Sequence, residues 1–333
     1  MKEKHTFSTV AEFADILKNF QKNERILLLA HERPDGDSIG SLCAFYNILK
    51  DNGYNAEAVF PEEVPDMYKP FIHIPYRKEI TLEEVKEFSL LIFLDCSNQK
   101  RASVAFLREG ELPLPSVNID HHPDNTSFGN WNYFDSKAAA CCQVLFDLAN
   151  EAKLTISVQA ATCLLLGIIT DSGCFRYDNT SPSALRTAAS LVELGGDRSM
   201  VIQKCYNAKP ENLALLESDL LCNHLKKSAG GSFAYVYLAP ELLEKYGVDL
   251  RNTEQLIDCI RQLSSVKACA VLRKEKDGFK VSLRSKYPEI SVGRIARSLG
   301  GGGHEMAAGS SLHVADAGEA VRLVLDAVNK EML

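Results

Sequence analysis

Apolar residues recur along this chain in two rhythms. Near the start, Val10, Phe13, Ile16, Leu17 and Phe20 fall at helical spacing, with Ser8 or Thr9 placed to cap the helix. Residues 25–30 (RILLLA) form a short continuous apolar run that predicts a buried strand. A polar loop follows, then a helix over about 38–50 with Gly53 just past its end. Residues 56–60, 90–94 (LLIFL) and 117–119 predict further short strands, and the length of 157–170 favours a helix. Strands alternating with helices predict an α/β domain built on a parallel, doubly wound sheet.

The pattern changes after residue 183. Residues 183–227 read as helical, broken near Gly195-Gly196 and at Pro210, and 228–232 (SAGGS) mark a boundary. A strand at 234–238 and a helix at 253–263 come next, then a hairpin of 268–274 with 280–284 around Asp277-Gly278. A helix over 292–299 runs into four glycines, and an amphipathic helix over 314–332 closes the chain. The expected organisation is an α/β domain over 1–190, a helical connector over 191–230 and a smaller α/β domain over 231–333. No internal repeat or low-complexity segment interrupts it.

Composition adds little to that fold but narrows the function. The 333 residues are 46% hydrophobic and 24% charged, enough for two cores that need no disulfide or metal to hold them. The first twenty residues lack the apolar core of a signal peptide, and the run 160–169 is too short to span a bilayer. The chain is therefore expected in the cytoplasm, with no membrane partner. Its ten cysteines are scattered without a C-x-x-C pair, so they read as reduced, buried thiols. A net charge of −7 argues against coating long nucleic acid. Residues 261–297 nevertheless hold ten Lys/Arg against three acids, locally +7, which leaves −14 for the rest. That stretch is either a solvated basic face or a handle for a small anionic ligand.

The candidate chemistry lies at the ends of the predicted strands. His31, Asp35 and Asp37 follow the first strand, Asp95 ends LLIFL, Asp120, His121 and His122 follow 117–119, and Asp171 ends the helical run. Parallel α/β sheets bind ligands beyond their strands' carboxyl ends, so separate segments deliver acids and imidazoles to one edge. Taken singly, each residue has a plainer role. Asp37, just before Ser38 and a helix, reads as a cap. The combination of H-x-x-x-D-x-D, D, D-H-H and D-S-G points elsewhere. Mixed carboxylates and imidazoles suit an octahedral cation such as Mn²⁺, with Mg²⁺ or Co²⁺ as substitutes, and not a tetrahedral structural zinc. So many neighbouring acids also need cations to offset their repulsion.

These motifs resemble those of the DHH phosphoesterase superfamily, which includes the RecJ exonucleases and family II inorganic pyrophosphatases. Residues 31–41 (HERPDGDSIGS), 94–97 (LDCS), 119–122 (IDHH) and 170–173 (TDSG) are similar to its four motifs, in order. The resemblance implies two divalent metal ions. His31, Asp35 and Asp95 would hold one; Asp37, Asp95, His121 and Asp171 would hold the other, with Asp95 shared. It gives His122 to the substrate phosphate and makes Asp120 the partner that orients the imidazoles.

Residues 300–309 (GGGGHEMAAG) and 282–286 (SLRSK) resemble the DHH-associated C-terminal domain. Arg284, Ser285, Gly301, Gly302, Gly303 and His304 would then bind substrate, since glycine-rich backbone and arginine both suit phosphate oxygens. Arg176 is a further candidate contact, with a structural ion pair as its alternative. The second domain and the chain length are similar to the nanoRNase and pAp-phosphatase group. That implies hydrolysis of very short oligoribonucleotides to mononucleotides, and removal of the 3′-phosphate of 3′-phosphoadenosine 5′-phosphate. Two alternatives stay open. One is a phosphodiesterase for linear dinucleotides from cyclic-dinucleotide turnover; the other is a non-catalytic RNA or nucleotide sensor, which complete metal ligands disfavour. A homodimer through a sheet edge also stays open.

Overall fold

The apolar runs become strands whose successive residues enter opposite cores. The structure, a computed structural model, describes residues 4–19, 22–60, 63–253 and 256–332. Phe20 of the first predicted helix and positions 254–255 of the helix predicted over 253–263 lie outside them. The chain divides into two compact units, Met1–Ala208 and Lys209–Leu333.

The first unit contains, in order, β1 (His5–Thr6), α1 (Val10–Asn19), β2 (Arg25–Leu29), α2 (Gly36–Asp51), β3 (Asn55–Ala58), α3 (Leu82–Val85), β4 (Leu90–Leu94), β5 (Ser116–Asp120), β6 (Trp131–Phe134), α4 (Cys141–Glu151), α5 (Val158–Asp171), α6 (Pro182–Glu193) and α7 (Arg198–Cys205). Its sheet has the order β1-β6-β5-β4-β2-β3, with every pair parallel. Ile26 and Leu28 of β2, with Leu90, Ile92 and Leu94 of β4, face a core shared with α2, α4 and α5. Leu27, Leu29, Leu91 and Phe93 point to the opposite core, which the short α3 and the loops around Ala102, Leu107 and Phe128 cover. Burial on both faces explains why β2 and β4 are continuously apolar. Each such side chain contributes about 1.5–3 kcal/mol on burial.

Strand order reverses at β2, which lies between β3 and β4. In parallel α/β sheets such a switch point is where ligands bind, here beyond the carboxyl ends of β2 and β4. Strands β1 and β6 escape the apolar pattern. β1 is two exposed residues, and β6 hides a fully buried polar residue, Asn132, whose amide donates to Gly129 O at 2.9 Å and His5 O at 3.2 Å.

The second unit contains α8 (Glu211–Asp219), β7 (Lys226–Ser228), β8 (Phe233–Leu238), α9 (Pro240–Tyr246), α10 (Leu256–Arg261), β9 (Ala268–Glu275), β10 (Gly278–Ser285), α11 (Val292–Ser298), β11 (Gly302–Gly303), β12 (Ala307–Leu312) and α12 (Ala317–Met332). Its sheet runs β11-β12-β10-β9-β8-β7, with β8 and β9 parallel and the other pairs antiparallel. Alternation along β9 again separates two cores. Ala268, Ala270 and Leu272 pack with α11 and α12, while Cys269 and Val271 pack with α8, α9 and α10. In the hairpin, Glu275 pairs with Gly278, so Lys276 and Asp277 form the turn and Gly278 already belongs to β10.

The stretch 191–230 is divided between the units: α7 belongs to the first and α8 to the second. Glycines 302 and 303, within the glycine run after the helix over 292–299, pair with β12. Among the described residues, no helix is long and apolar enough to cross a membrane. All ten cysteines are free thiols, and Cys222 is the exposed one.

Candidate metal centre

Four stretches of the first unit bring their ligands together at the switch point. His31 follows β2, and its Nδ1 donates to Glu32 O at 2.6 Å. This turns Nε2 toward Asp35 Oδ2 at 3.5 Å and Asp95 Oδ2 at 3.3 Å. His121, beyond β5, directs Nε2 at Asp37 Oδ2 (3.7 Å), Asp95 Oδ1 (3.6 Å) and Asp171 Oδ2 (3.3 Å). Two ligand groups result, His31–Asp35–Asp95 and Asp37–His121–Asp171, each with donor atoms within 4.8 Å of one another. Asp95 offers one carboxylate oxygen to each imidazole.

The local folding explains how each acid is held. Asp35, not Asp37, caps α2: its Oδ1 accepts from the N–H of Asp37 at 3.1 Å and of Ser38 at 3.0 Å. Capping uses one oxygen and leaves Oδ2 facing His31, so the structural and ligand roles coexist. Asp37 accepts from the backbone N–H of Cys141 at 2.6 Å and Cys142 at 3.0 Å, at the start of α4. Ala140, the N-cap there, supplies no side-chain cap, so Asp37 satisfies those donors from a distant part of the chain. A Cβ at Gly167 of α5 would lie 2.3 Å from Asp37 Oδ1; the glycine makes room for the carboxylate. Asp95 sits at φ 54°, a left-handed conformation that is strained for a non-glycine residue.

Electrostatics test the fit to cations. Burial, then the charges of Asp95 and Asp35, push the Asp37 carboxyl well above its ordinary range. Burial disfavours charge on His31, but Asp35 and Asp95 outweigh it and raise the imidazole to about 10. Burial likewise works against charge on Asp35, yet His31 and the Ser38 N–H hold its carboxyl well below the usual range. His121 is pushed down by burial and by His122. Asp95 Oδ1 is buried without a hydrogen bond. Hard oxygen and imidazole donors, crowded acids and a buried carboxylate oxygen in need of a partner all fit divalent cations. Asp35, His122 and Asp171 have side chains 33%, 15% and 28% exposed, against 3% or less for His31, Asp37, Asp95 and His121. They mark the solvent side of the centre.

Asp120 is spent on orientation. Its Oδ1 accepts from His122 Nδ1 at 2.8 Å and its Oδ2 from Asn125 Nδ2 at 2.6 Å. Burial opposes a charged His122, but Asp120 overcomes it and raises the ring to about 9. Arg176 donates from Nε to Gly173 O at 2.6 Å and lies over the Tyr206 ring at 5.7 Å. Among the described residues it has no carboxylate partner, so the ion-pair alternative is not seen.

The candidate residues of the second unit are less uniform. Arg284 NH1 donates to Leu283 O at 3.1 Å, and among the described residues the guanidinium pairs with no acid. Ser285 is 1% exposed, and its hydroxyl donates to Tyr287 O at 2.9 Å, forming the turn after β10. Gly301 is required by packing, since a Cβ there would lie 2.1 Å from Gly309 O. Gly302 and Gly303 pair with Gly309 and Ala308. His304 lies half-buried between β11 and β12, beside Glu305, which is anchored to Ser291 Oγ and to Arg297 at 2.9 Å.

Sequence reasoning missed Gly167, the paired N–H groups of Cys141 and Cys142, and Asn125. Gly167 carried a signal: a glycine inside an apolar helix costs about 1 kcal/mol against alanine, which flags a close approach.

Residues 25–168 match the profile of the DHH family, N-terminal domain, and 230–332 match the DHHA1 domain. The bifunctional oligoribonuclease and PAP phosphatase NrnA of Thermus thermophilus is 31% identical over 92% of this chain and 90% of that protein. The chain belongs to the DHH family. The protein of the same description from Bacillus subtilis is 27% identical over 95% of this chain and 98% of its own length. Among solved structures, an exopolyphosphatase-related protein from Bacteroides fragilis shares the fold of this DHH protein. Its TM-score is 0.81 at 23% identity, covering 96% of this chain and 95% of that one.

Proposed function

We propose that this DHH protein is a Mn²⁺-dependent cytoplasmic phosphoesterase. It hydrolyses very short oligoribonucleotides to mononucleotides and removes the 3′-phosphate of 3′-phosphoadenosine 5′-phosphate. The observation that carries the reading is Asp95, whose Oδ2 faces His31 and whose Oδ1 faces His121. Its similarity to relatives named as oligoribonucleases and PAP phosphatases supports the substrate class.

Two divalent cations, when bound, supply an activated water and neutralise phosphoryl charge. His31, Asp35 and Asp95 would hold one; Asp37, Asp95, His121 and Asp171 would hold the other. With Nδ1 committed to Asp120, His122 presents Nε2 to a phosphoryl oxygen. Asp120 keeps that imidazole oriented and charged. Arg284, His304 and the backbone around Gly302 and Gly303 bind a further phosphate or base of the substrate, while the Gly301 N–H is held by Ala296 O at 2.8 Å and Ser285 shapes the turn beside Arg284. Arg176 contributes a second cation for substrate.

The test is turnover with Mn²⁺ on 5′-labelled RNAs from two to about ten nucleotides, with 3′-phosphoadenosine 5′-phosphate alongside. The expected result is fastest release of mononucleotides from the shortest RNAs and release of phosphate from the bisphosphate. Inactivity on both substrate types contradicts the reading.

A further inference from the structure

A polar relay, buried at Asn118 and Asp120 and half-buried at Asn125 and His122, runs from the turn behind Asp95 to the imidazole of His122. Asn118, on β5, is 1% exposed. Its Nδ2 donates to the carbonyl of Cys96, the residue after Asp95, at 3.0 Å. Its Oδ1 accepts from Asn125 Nδ2 at 2.8 Å. The other hydrogen of that Asn125 amide goes to Asp120 Oδ2 at 2.6 Å, and Asp120 Oδ1 accepts from His122 Nδ1 at 2.8 Å.

Backbone groups at both ends fix which way the amides point. The Ser127 N–H donates to Asn125 Oδ1 at 2.8 Å, so the Asn125 NH₂ must face the two acceptors. The Cys96 carbonyl can only accept, so Asn118 must turn its NH₂ toward it and its oxygen toward Asn125. Reversing either amide would set like against like along the relay.

The upstream end of the relay lies at a strained corner. Asp95 has φ 54°, and its N–H donates to Ile119 O of β5 at 3.0 Å. Asn118 is the residue before Ile119, so β5 grips the corner on both sides of the Asp95 Cα, once through its backbone and once through a side chain. A satisfied, largely buried network of this kind rigidifies what it joins.

We propose that Asn118 and Asn125 are positioning residues. They set the backbone at the shared carboxylate and the orientation of the phosphate-facing imidazole through one relay. Asn118 acts on Asp95, and Asn125 acts on His122 through Asp120. The inference rests on the roles given above to Asp95 and His122.

The test uses the full chain with Asn125→Ala, His122→Ala, the double variant and Asn118→Ala. It measures kcat and KM on 3′-phosphoadenosine 5′-phosphate, Mn²⁺ affinity by paramagnetic resonance, thermal stability, and the downfield proton resonance of His122 Nδ1–H. Asn125→Ala is expected to stay folded and bind Mn²⁺ normally while kcat falls about 10–100-fold. Its Nδ1–H resonance should shift or broaden. In the His122→Ala background the same change should cost less than about twofold more, because both act through one imidazole. Asn118→Ala should weaken Mn²⁺ binding about tenfold. If it does not fold, Asn118→Asp keeps the volume, removes the donor to Cys96 and is expected to show the same loss. Wild-type kcat in folded Asn125→Ala, losses that multiply in the double variant, or unchanged Mn²⁺ affinity in the Asn118 variants would overturn the relay. Should the wild type itself show no Mn²⁺-dependent turnover, the proposed function fails. The relay is then decided by the Nδ1–H resonance, which must change in Asn125→Ala for it to stand.

Discussion

Both units gather charge, but they use it differently. At the switch point of the first, largely buried acids and imidazoles from four stretches are aimed at one another, with Asp95 facing His31 through one oxygen and His121 through the other. In the second, the basic stretch that looked like a single patch is mostly tied down locally. Arg261 bonds Asp258 at 3.1 Å, Arg297 bonds Glu305 at 2.9 Å, and Arg294 is held by Glu331. Lys286 donates to Leu263 O at 2.6 Å, and Arg273 to Ser282 Oγ at 2.9 Å. Among the described residues, Arg284 differs in reaching only a neighbouring carbonyl. Charge counting located the region; partner geometry picks out the residue. Buried charge that converges needs a cation, whereas dispersed charge with local partners mainly holds the fold.

The largest expected effect breaks the convergent side. Asp95→Ala should lower turnover about a thousandfold or more, measured on a dinucleotide with Mn²⁺, since one change removes the carboxylate that faces both His31 and His121. Next comes the second unit's arginine. Arg284→Ala should raise KM for short RNA about 10–100-fold, the loss of a charged phosphate contact. Its rate on an activated aryl phosphate should stay within about twofold of wild type, because that substrate does not need the extra contact. Equal losses on both substrates would erase the contrast between the units.

A subtler change reaches a candidate metal ligand through packing. Gly167→Ala places a methyl group against Asp37 Oδ1 and should weaken Mn²⁺ binding about tenfold, read by calorimetry. Unchanged affinity would show that Asp37 can move without cost.

The smallest effect concerns a buried acid away from the centre. Burial and the charge of Asp135 raise Asp147 of α4 to about 6. The folded state therefore holds this proton more tightly than the unfolded chain does. Stability from this group is full below its ordinary pKa, near pH 4, and is lost as pH rises through about 6. Asp147→Asn should raise stability by about 1 kcal/mol at pH 7.5, after discounting for partial exposure, and leave it unchanged at pH 4. Thermal melts at both values check this. An equal gain at both would assign the effect to packing instead of charge.

Much of the first unit was legible because the candidate ligands cluster just beyond the ends of apolar runs. LLIFL predicts β4, and the acid that follows it lands at the sheet's edge. The clusters of His31, Asp35 and Asp37 and of His121 were readable for the same reason. Strands without that contrast were not. The AAGSSL of β12 and the paired glycines of β11 lack large apolar side chains, and Asn118 and Asn132 are buried amides inside strands, where a polar residue carries no signal of burial. Asp37 shows the limit of local rules. Its position before a helix suggested a cap, but Asp35 caps α2 while Asp37 reaches the start of α4, more than a hundred residues away. No local pattern encodes that contact. The Ser285 hydroxyl likewise looked available for phosphate, and its own turn consumes it.

The sharing of Asp95 is the central claim, and Mn²⁺ stoichiometry tests it most directly. Equilibrium titration of the wild-type chain should show two Mn²⁺ per protein. In folded Asp95→Ala both sites should weaken together. Loss of one site with the other kept at wild-type affinity would contradict a shared ligand.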